Sequence, residues 1–242
     1  MLVAAPTGAG KTVVGEFAVH LALARGGKCF YTTPIKALSN QKFHDLTDRY
    51  GADKVGLLTG DNSVNGEAPI VVMTTEVLRN MLYAQSTTLH GLQSVVVDEV
   101  HYLADRFRGA VWEEVILHLA EDVQLVSLSA TVSNAEEFGD WLQAVRGDTT
   151  VIVEEHRPVP LWQSVMVRNE LYDLFVDDDQ HDVNPDLARL AAQESRFERD
   201  HHHHHHQRGG RRGRPSGTAH RPDVVDRLDH AGLLPAIVFI FS

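Results

Sequence analysis

The sequence predicts an α/β domain, a parallel sheet with helices on both faces. Three observations carry this. Strand-like and helix-like stretches alternate from the first residues to about residue 155. The run "SVVVDEV" is almost continuously apolar, as a central parallel strand buried on both faces requires. The first short strand leads through a glycine-rich turn directly into a helix, and such βα alternation is how parallel sheets are built.

The elements follow in order. "MLVAA" is a short apolar strand. "KTVVGEFAVHLALAR" has helical spacing, with Val13, Phe17, Leu21 and Ala24 on one face. "KCFYTT" is a strand and "IKALSNQKFHDLTDRY" a helix. "VGLLT" and "IVVMTT" are strands, and "EVLRNMLYA" is a helix. After "SVVVDEV" come the helix "GAVWEEVILHLAE", the strand "QLVSLSA", the helix "NAEEFGDWLQAV" and the strand "TTVIVEE". Beyond "HRPVPLWQSVMVRNELYDLF" the character changes. From Val176 to about Arg221 the chain is polar and irregular, with "DDDQHD", six histidines at 201–206 and "QRGGRRGRPSG". Order is expected to return as a short helix and an apolar strand in "RPDVVDRLDHAGLLPAIVFIFS".

Composition sets limits on function. The chain has 242 residues, enough for one large domain or for one domain and part of another. A formal net charge of −11 excludes a global basic field, so any nucleic-acid site must be a local patch. The single cysteine, Cys29, excludes an intramolecular disulfide and fits a reducing, cytoplasmic setting. It lies in an apolar strand and reads as core. No run of 18 apolar residues is present, so no membrane span is expected.

"APTGAGKT", Ala5 to Thr12, matches G-x-x-x-x-G-K-S/T, with Ala5 in place of the first glycine. In the loop Pro6–Thr7–Gly8–Ala9–Gly10, the backbone N–H groups from Thr7 onward and those of the helix start can point at phosphate, with the helix dipole favouring the anion. Lys11 can reach the β- and γ-phosphates of ATP, and the Thr12 hydroxyl can ligate Mg²⁺. In "VVVDEVH", Asp98 and Glu99 end a buried strand, where open α/β sheets bind ligands. Asp98 can hold Mg²⁺ directly or through water, and Glu99 can orient and deprotonate the attacking water. On chemistry alone His101 reads as readily as a plain surface or packing histidine as it does as a functional one. Ser129 and Thr131 in "LSATVSN" can simply end a strand.

Together, the phosphate loop, "DEVH" and "SAT" resemble superfamily 2 DExH-box helicases. "TTPIKALSNQK" resembles motif Ia, "TGD" at 59–61 motif Ic and "TTEVLRNML" motif Ib. "LSATVSNAEEFGDWL" followed by "HRPVPL" is closest to the Ski2-like branch, in particular to bacterial HelY-type helicases. The likeness covers residues 1–170 and resumes at 235–242. It implies a RecA-like P-loop NTPase domain over 1–170, a flexible linker over 171–221 and the start of a second RecA-like domain over 222–242. It implies ATP and Mg²⁺ as cofactors, with Lys11, Asp98 and Glu99 catalytic. It also implies that Ser129, Thr131 and His101 couple nucleotide state to the nucleic-acid path. The nucleic-acid face would comprise Pro34, Lys36, Thr59, Gly60, Thr75, Glu76 and Arg79. These sit at strand ends and helix starts and would read the backbone of RNA or single-stranded nucleic acid, not its sequence.

The chain opens almost at the phosphate loop and closes at "FIFS", with nothing resembling motifs V and VI. "RRGR" at 211–214 lies in the linker and is not motif VI. A fragment lacking the second motor domain that activity needs is therefore expected. As an isolated chain it would bind nucleotide without unwinding, and "AIVFIF" would favour association. A duplex-DNA translocase is a third reading, against which "TTPIKALSNQ" and "SATVSN" count. The six histidines read as a native insertion or a tag, with incidental Ni²⁺ or Zn²⁺ binding. "QRGGRRGR" reads as an RNA-binding arm or a solvated linker.

Overall fold

A computed structural model of the chain describes residues 1–106, 109–130, 134–167, 169–177, 181–193 and 221–240. Thr131, the histidines at 201–206 and Arg211, Arg212 and Arg214 lie outside the described residues. The chain forms two compact units, Met1–Val159 and Pro160–Ser242.

The first unit is built on an eight-stranded sheet. Its strands are β1 (Leu2–Ala4), β2 (Lys28–Thr33), β3 (Val55–Leu58), β4 (Ser63–Val64), β5 (Ile70–Thr74), β6 (Leu92–Val97), β7 (Gln124–Ser129) and β8 (Val151–Val153). The spatial order is β4-β3-β5-β2-β6-β7-β1-β8. Every pairing is parallel except that of β4 with β3. Helices α1 (Lys11–Ala24), α2 (Lys36–Tyr50), α3 (Thr75–Tyr83), α4 (Gly109–His118) and α5 (Ala135–Arg146) connect the strands.

Alternation along each central strand feeds two cores. Cys29, Tyr31, Ile70, Val72 and Val96 pack with Ala18, Val19 and Ala22 of α1 and Leu46 of α2. Phe30, Val71, Met73, Val95 and Val97 pack with Leu78 of α3, Trp112, Val115 and Ile116 of α4, and Leu142 of α5. Each such large side chain, fully buried, stabilises the fold by about 1.5–3 kcal/mol. Burial pushes the Cys29 thiol up to about 12, consistent with a core residue. Among the described residues no helix is long and apolar enough to cross a membrane.

The face of α1 that carries Val13 and Phe17 is not the one that meets the sheet. Val13 and Phe17 are exposed, and the inward face is Gly15, Ala18, Val19 and Ala22. The cause is proximity. A Cβ added at Gly15 would lie 3.0 Å from the Tyr31 ring and 3.2 Å from Leu128 and Val96. A helix seated this close needs small residues against the sheet, so its larger apolar residues are left outside.

The second unit contains an antiparallel hairpin, β9 (Ser164–Val167) with β10 (Glu170–Asp173), and an isolated bridge between Phe175 and Val183. The stretch read as irregular from Val176 includes a helix over 185–193 (α6). Asn184 Oδ1 accepts the Asp186 N–H at 3.0 Å and Pro185 takes the first helical position, a capping pattern masked by the acidic and histidine runs around it. Helix α7 (Arg221–His230) follows the expected position. Residues 236–240, expected as a strand, are in none. A strand exists only by hydrogen-bonding to a neighbour, and Ile237, Val238, Phe239 and Ile240 are exposed.

Candidate nucleotide site and nucleic-acid edge

The parallel strands bring their carboxyl ends to one edge of the sheet. Three neighbours, β6, β7 and β1, carry the DEVH turn, Ser129 and the phosphate loop. The other neighbours, β3, β5 and β2, carry Thr59, Thr75 and Pro34 with Lys36.

The loop from Ala5 to Gly10 turns sharply because Gly8 and Gly10 adopt φ of 91° and 87°. No atom lies within 4 Å of a Cβ at either, so backbone conformation and not space requires glycine there. Gly10 caps α1 without a side-chain hydrogen bond, and no acidic residue lies in the first turn. Among the described residues the first-turn N–H groups are thus free of a side-chain cap, and they carry the positive end of the helix dipole. Lys11 Nζ donates to the carbonyls of Ala5 at 2.6 Å and Pro6 at 3.1 Å, folding over its own loop. Thr7, Gly8, Gly10 and Thr12 are exposed, while Ala5 and Pro6 are buried.

Asp98 follows β6 directly. Its N–H donates to Thr32 O at 2.9 Å, its Oδ2 accepts from the Tyr31 hydroxyl at 2.9 Å, and its Oδ1 accepts the Glu99 N–H at 2.9 Å. Glu99 has a positive φ of 54°. For a residue with a side chain this costs of order 1–3 kcal/mol, a strain that persists where the surroundings enforce it. Burial, then the Asp98 charge, raises the Glu99 carboxyl above its ordinary range against the pull of His101 and Lys11. His101 Nδ1 lies 3.3 Å from Glu99 Oε2. The pair is within ion-pair distance but not aligned for a hydrogen bond, so among the described residues both buried atoms lack a hydrogen-bond partner. A partly buried carboxylate with a raised affinity for protons, beside a histidine and a lysine, suits proton abstraction.

Ser129 is buried at the end of β7, opposite Ala4 in register, and its carbonyl accepts the Ala5 N–H at 3.0 Å. His101 and Ser129 also line one cavity of about 530 Å³, with Val100, Asn134 and Phe138. The phosphate loop, the DEVH turn and the first residue of "SAT" therefore form one connected group. Thr131 cannot be placed in it, being outside the described residues.

The other edge differs in kind. Pro34 is buried and Gly60 and Glu76 are exposed. Lys36 Nζ lies 2.5 Å from Asp61 Oδ2, and Thr59 Oγ1 donates to Asp61 Oδ1 at 3.1 Å. These two bonds hold the Asp61 carboxyl below its ordinary range, that from Lys36 more strongly. Thr75 Oγ1 donates to Thr33 O at 3.3 Å, and Arg79 Nε lies 3.7 Å from Glu114 Oε2. Tyr31 lies outside every motif that sequence reasoning singled out; Asp61 and the Thr33–Ser39 pair, whose hydroxyls lie 2.7 Å apart, fall inside the quoted motifs but had no role of their own. Tyr31 reads as a core residue in an apolar strand, and only the tertiary fold puts its hydroxyl against Asp98.

Residues 1–138 match the family described as DEAD/DEAH box helicase. The chain belongs to that family. The whole chain is 65% identical to "Probable helicase HelY" of Mycobacterium leprae, of which it covers 27%. It is 39% identical over its full length to "DExH-box ATP-dependent RNA helicase DExH15 chloroplastic" of Arabidopsis thaliana, of which it covers 24%. The chain thus spans about a quarter of the length of these helicase relatives. The crystal structure of the Pyrococcus furiosus Hef helicase domain superposes with a TM-score of 0.50 at 23% identity, covering 64% of this chain and 35% of that one. It shares the RecA-like helicase fold.

Proposed function

We propose that the chain supplies the ATP-binding half of the motor of an ATP-dependent RNA or DNA helicase. One observation carries this reading. The phosphate loop, the Asp98–Glu99 turn and Ser129 stand on three adjacent strands, joined by the Ala5 N–H to Ser129 O bond of 3.0 Å. In this reading the N–H groups of Thr7 to Thr12 take the phosphates. Lys11 exchanges the carbonyls of Ala5 and Pro6 for phosphate oxygens. Thr12 and Asp98 are the residues that would hold Mg²⁺, and both have the oxygen chemistry that ion prefers. When bound, Mg²⁺ neutralises charge on the phosphates. Glu99 takes a proton from the attacking water, steadied by His101. His101, Ser129 and Thr131 pass nucleotide state to the edge formed by Pro34, Lys36, Thr59, Gly60, Thr75 and Arg79, which holds a nucleic-acid backbone.

The division proposed is a motor domain over 1–170, a linker over 171–221 and the start of a second RecA-like domain from 222, in a cytoplasmic protein. Strand separation by the whole protein needs that second domain, whose arginine would stabilise charge on the γ-phosphate. Such an arginine is worth roughly 10³–10⁵ in rate. The 242 residues by themselves are thus a nucleotide-binding module without unwinding. The test is RNA-stimulated phosphate release and duplex unwinding by the purified chain. Binding of ATP with turnover near background and no unwinding is expected. Robust RNA-stimulated turnover by a monomer, or no affinity for nucleotide, would overturn the reading.

A further inference from the structure

Tyr31 is completely buried in β2, on the face that α1 covers. A buried phenol needs a partner for its hydroxyl, and a phenylalanine would fill the same space without that demand. Here the partner is Asp98 Oδ2, at 2.9 Å. Because Asp98 Oδ1 is already engaged by the Glu99 N–H, the tyrosine fixes the second oxygen and hence the rotation of the carboxylate.

The ring itself is clamped. Tyr31 Cε2 lies against the backbone of α1, where a Cβ at Gly15 would approach to 3.0 Å. Lys42 of α2 holds its ammonium 5.4 Å from the ring centroid. Lys42 is itself buried and kept there by Glu16 of α1, 3.7 Å away. The hydroxyl is therefore aimed by two helices and has little freedom of its own.

We propose that Tyr31 is a positioning residue for the metal-binding carboxylate of Asp98, aimed by Gly15 and Lys42. The inference rests on the reading of Asp98 as a magnesium-binding residue. Partners of metal-binding side chains typically contribute 10–100-fold to metal affinity. Tyr31 touches neither nucleotide nor metal, so its removal affects the Mg²⁺ dependence of binding and not the nucleotide contact as such.

The test is ADP binding by the 242-residue chain, measured by calorimetry across a series of free Mg²⁺ concentrations and in EDTA. In Tyr31→Phe the Mg²⁺ concentration for half-maximal effect rises about tenfold or more. ADP affinity in EDTA stays as in the wild type and unfolding stays cooperative. Lys42→Met, which leaves the hydroxyl in place but removes the charge over the ring, shifts the same midpoint in the same direction by a smaller factor. An unchanged midpoint in Tyr31→Phe with ADP still bound overturns the inference. Equal loss of ADP binding in EDTA and in Mg²⁺ overturns it too, marking Tyr31 as a residue of the fold alone. If wild-type binding ignores Mg²⁺ altogether, the assignment of Asp98 fails, and this inference with it.

Discussion

The two halves of the sheet's carboxyl edge handle their polar groups in opposite ways. At the ends of β6, β7 and β1, groups stand ready. Among the described residues, the first turn of α1 has no side-chain cap, Lys11 holds only carbonyls of its own loop, and Glu99 Oε2 and His101 Nδ1 are buried without hydrogen bonds. Glu99 is also strained, with φ at 54°. At the ends of β3, β5 and β2 the groups are already spent. Lys36 is neutralised by Asp61, Arg79 faces Glu114, and the hydroxyls of Thr33, Thr59 and Thr75 are engaged within the chain. An edge that keeps unsatisfied groups and strain is organised for a compact, highly charged ligand. An edge whose cations carry internal counter-ions can hold a polyanion only by displacing them. The difference fits a protein of net charge −11 that would grip nucleotide firmly and nucleic acid loosely.

The largest effect that could break this contrast is at the phosphate loop. Lys11→Ala should lower Mg-ATP affinity about 100-fold, since a charge-assisted hydrogen bond contributes up to about 3 kcal/mol. The fold and the weak affinity for polyuridine should be unchanged. Calorimetry and a salt-dependent binding assay on the same variant check both, and equal ATP affinity would remove Lys11 from the site.

A smaller effect sharpens the other half. Asp61→Asn frees Lys36, so single-stranded RNA should bind several-fold more tightly. The slope of log affinity against log salt should steepen by about 0.7, the value for one phosphate contact on a single strand. Fluorescence anisotropy across a salt series reads both quantities. Unaltered affinity and slope would mean that Lys36 does not meet the backbone.

The smallest effect concerns the pH dependence of stability at Glu99. Its folded pKa is raised by burial and by Asp98. The ionised side chain therefore costs the folded state stability at neutral pH, and the cost disappears as pH falls below the unfolded value near 4.5. Glu99→Gln should melt at a higher temperature than the wild type near pH 7, with the gap closing as the buffer is taken below pH 4.5. ATP binding should persist. A wild type more stable than the variant at neutral pH would reverse the sign and contradict the desolvated carboxylate.

How legible each half was follows from what holds it together. Strands β2, β5, β6 and β7 were readable because burial on both faces demands unbroken apolar runs. The phosphate loop was readable because its conformation demands glycine at two fixed positions. The inner face of α1 was not. Its contact with the sheet is made by Gly15, Ala18 and Ala22, whose smallness carries no hydrophobic signal. β4 was missed, since two residues paired antiparallel at an edge leave no period to detect. The Tyr31 bond to Asp98 and the Lys36 bond to Asp61 were missed because the partners lie 67 and 25 residues apart in sequence. Local spacing cannot report a bond that only the folded sheet creates.

Amide hydrogen exchange on the 242-residue chain tests the division of the edge most directly. With Mg-ATP, protection should rise most over residues 5–12, 97–101 and 129–130, and change by a smaller amount over 35–39, 59–62 and 75–79, which only the coupling reaches. With polyuridine the pattern should invert, and the second set should lose its protection as salt is raised. Nucleotide protection spread evenly over both sets, or confined to the second, would contradict the account.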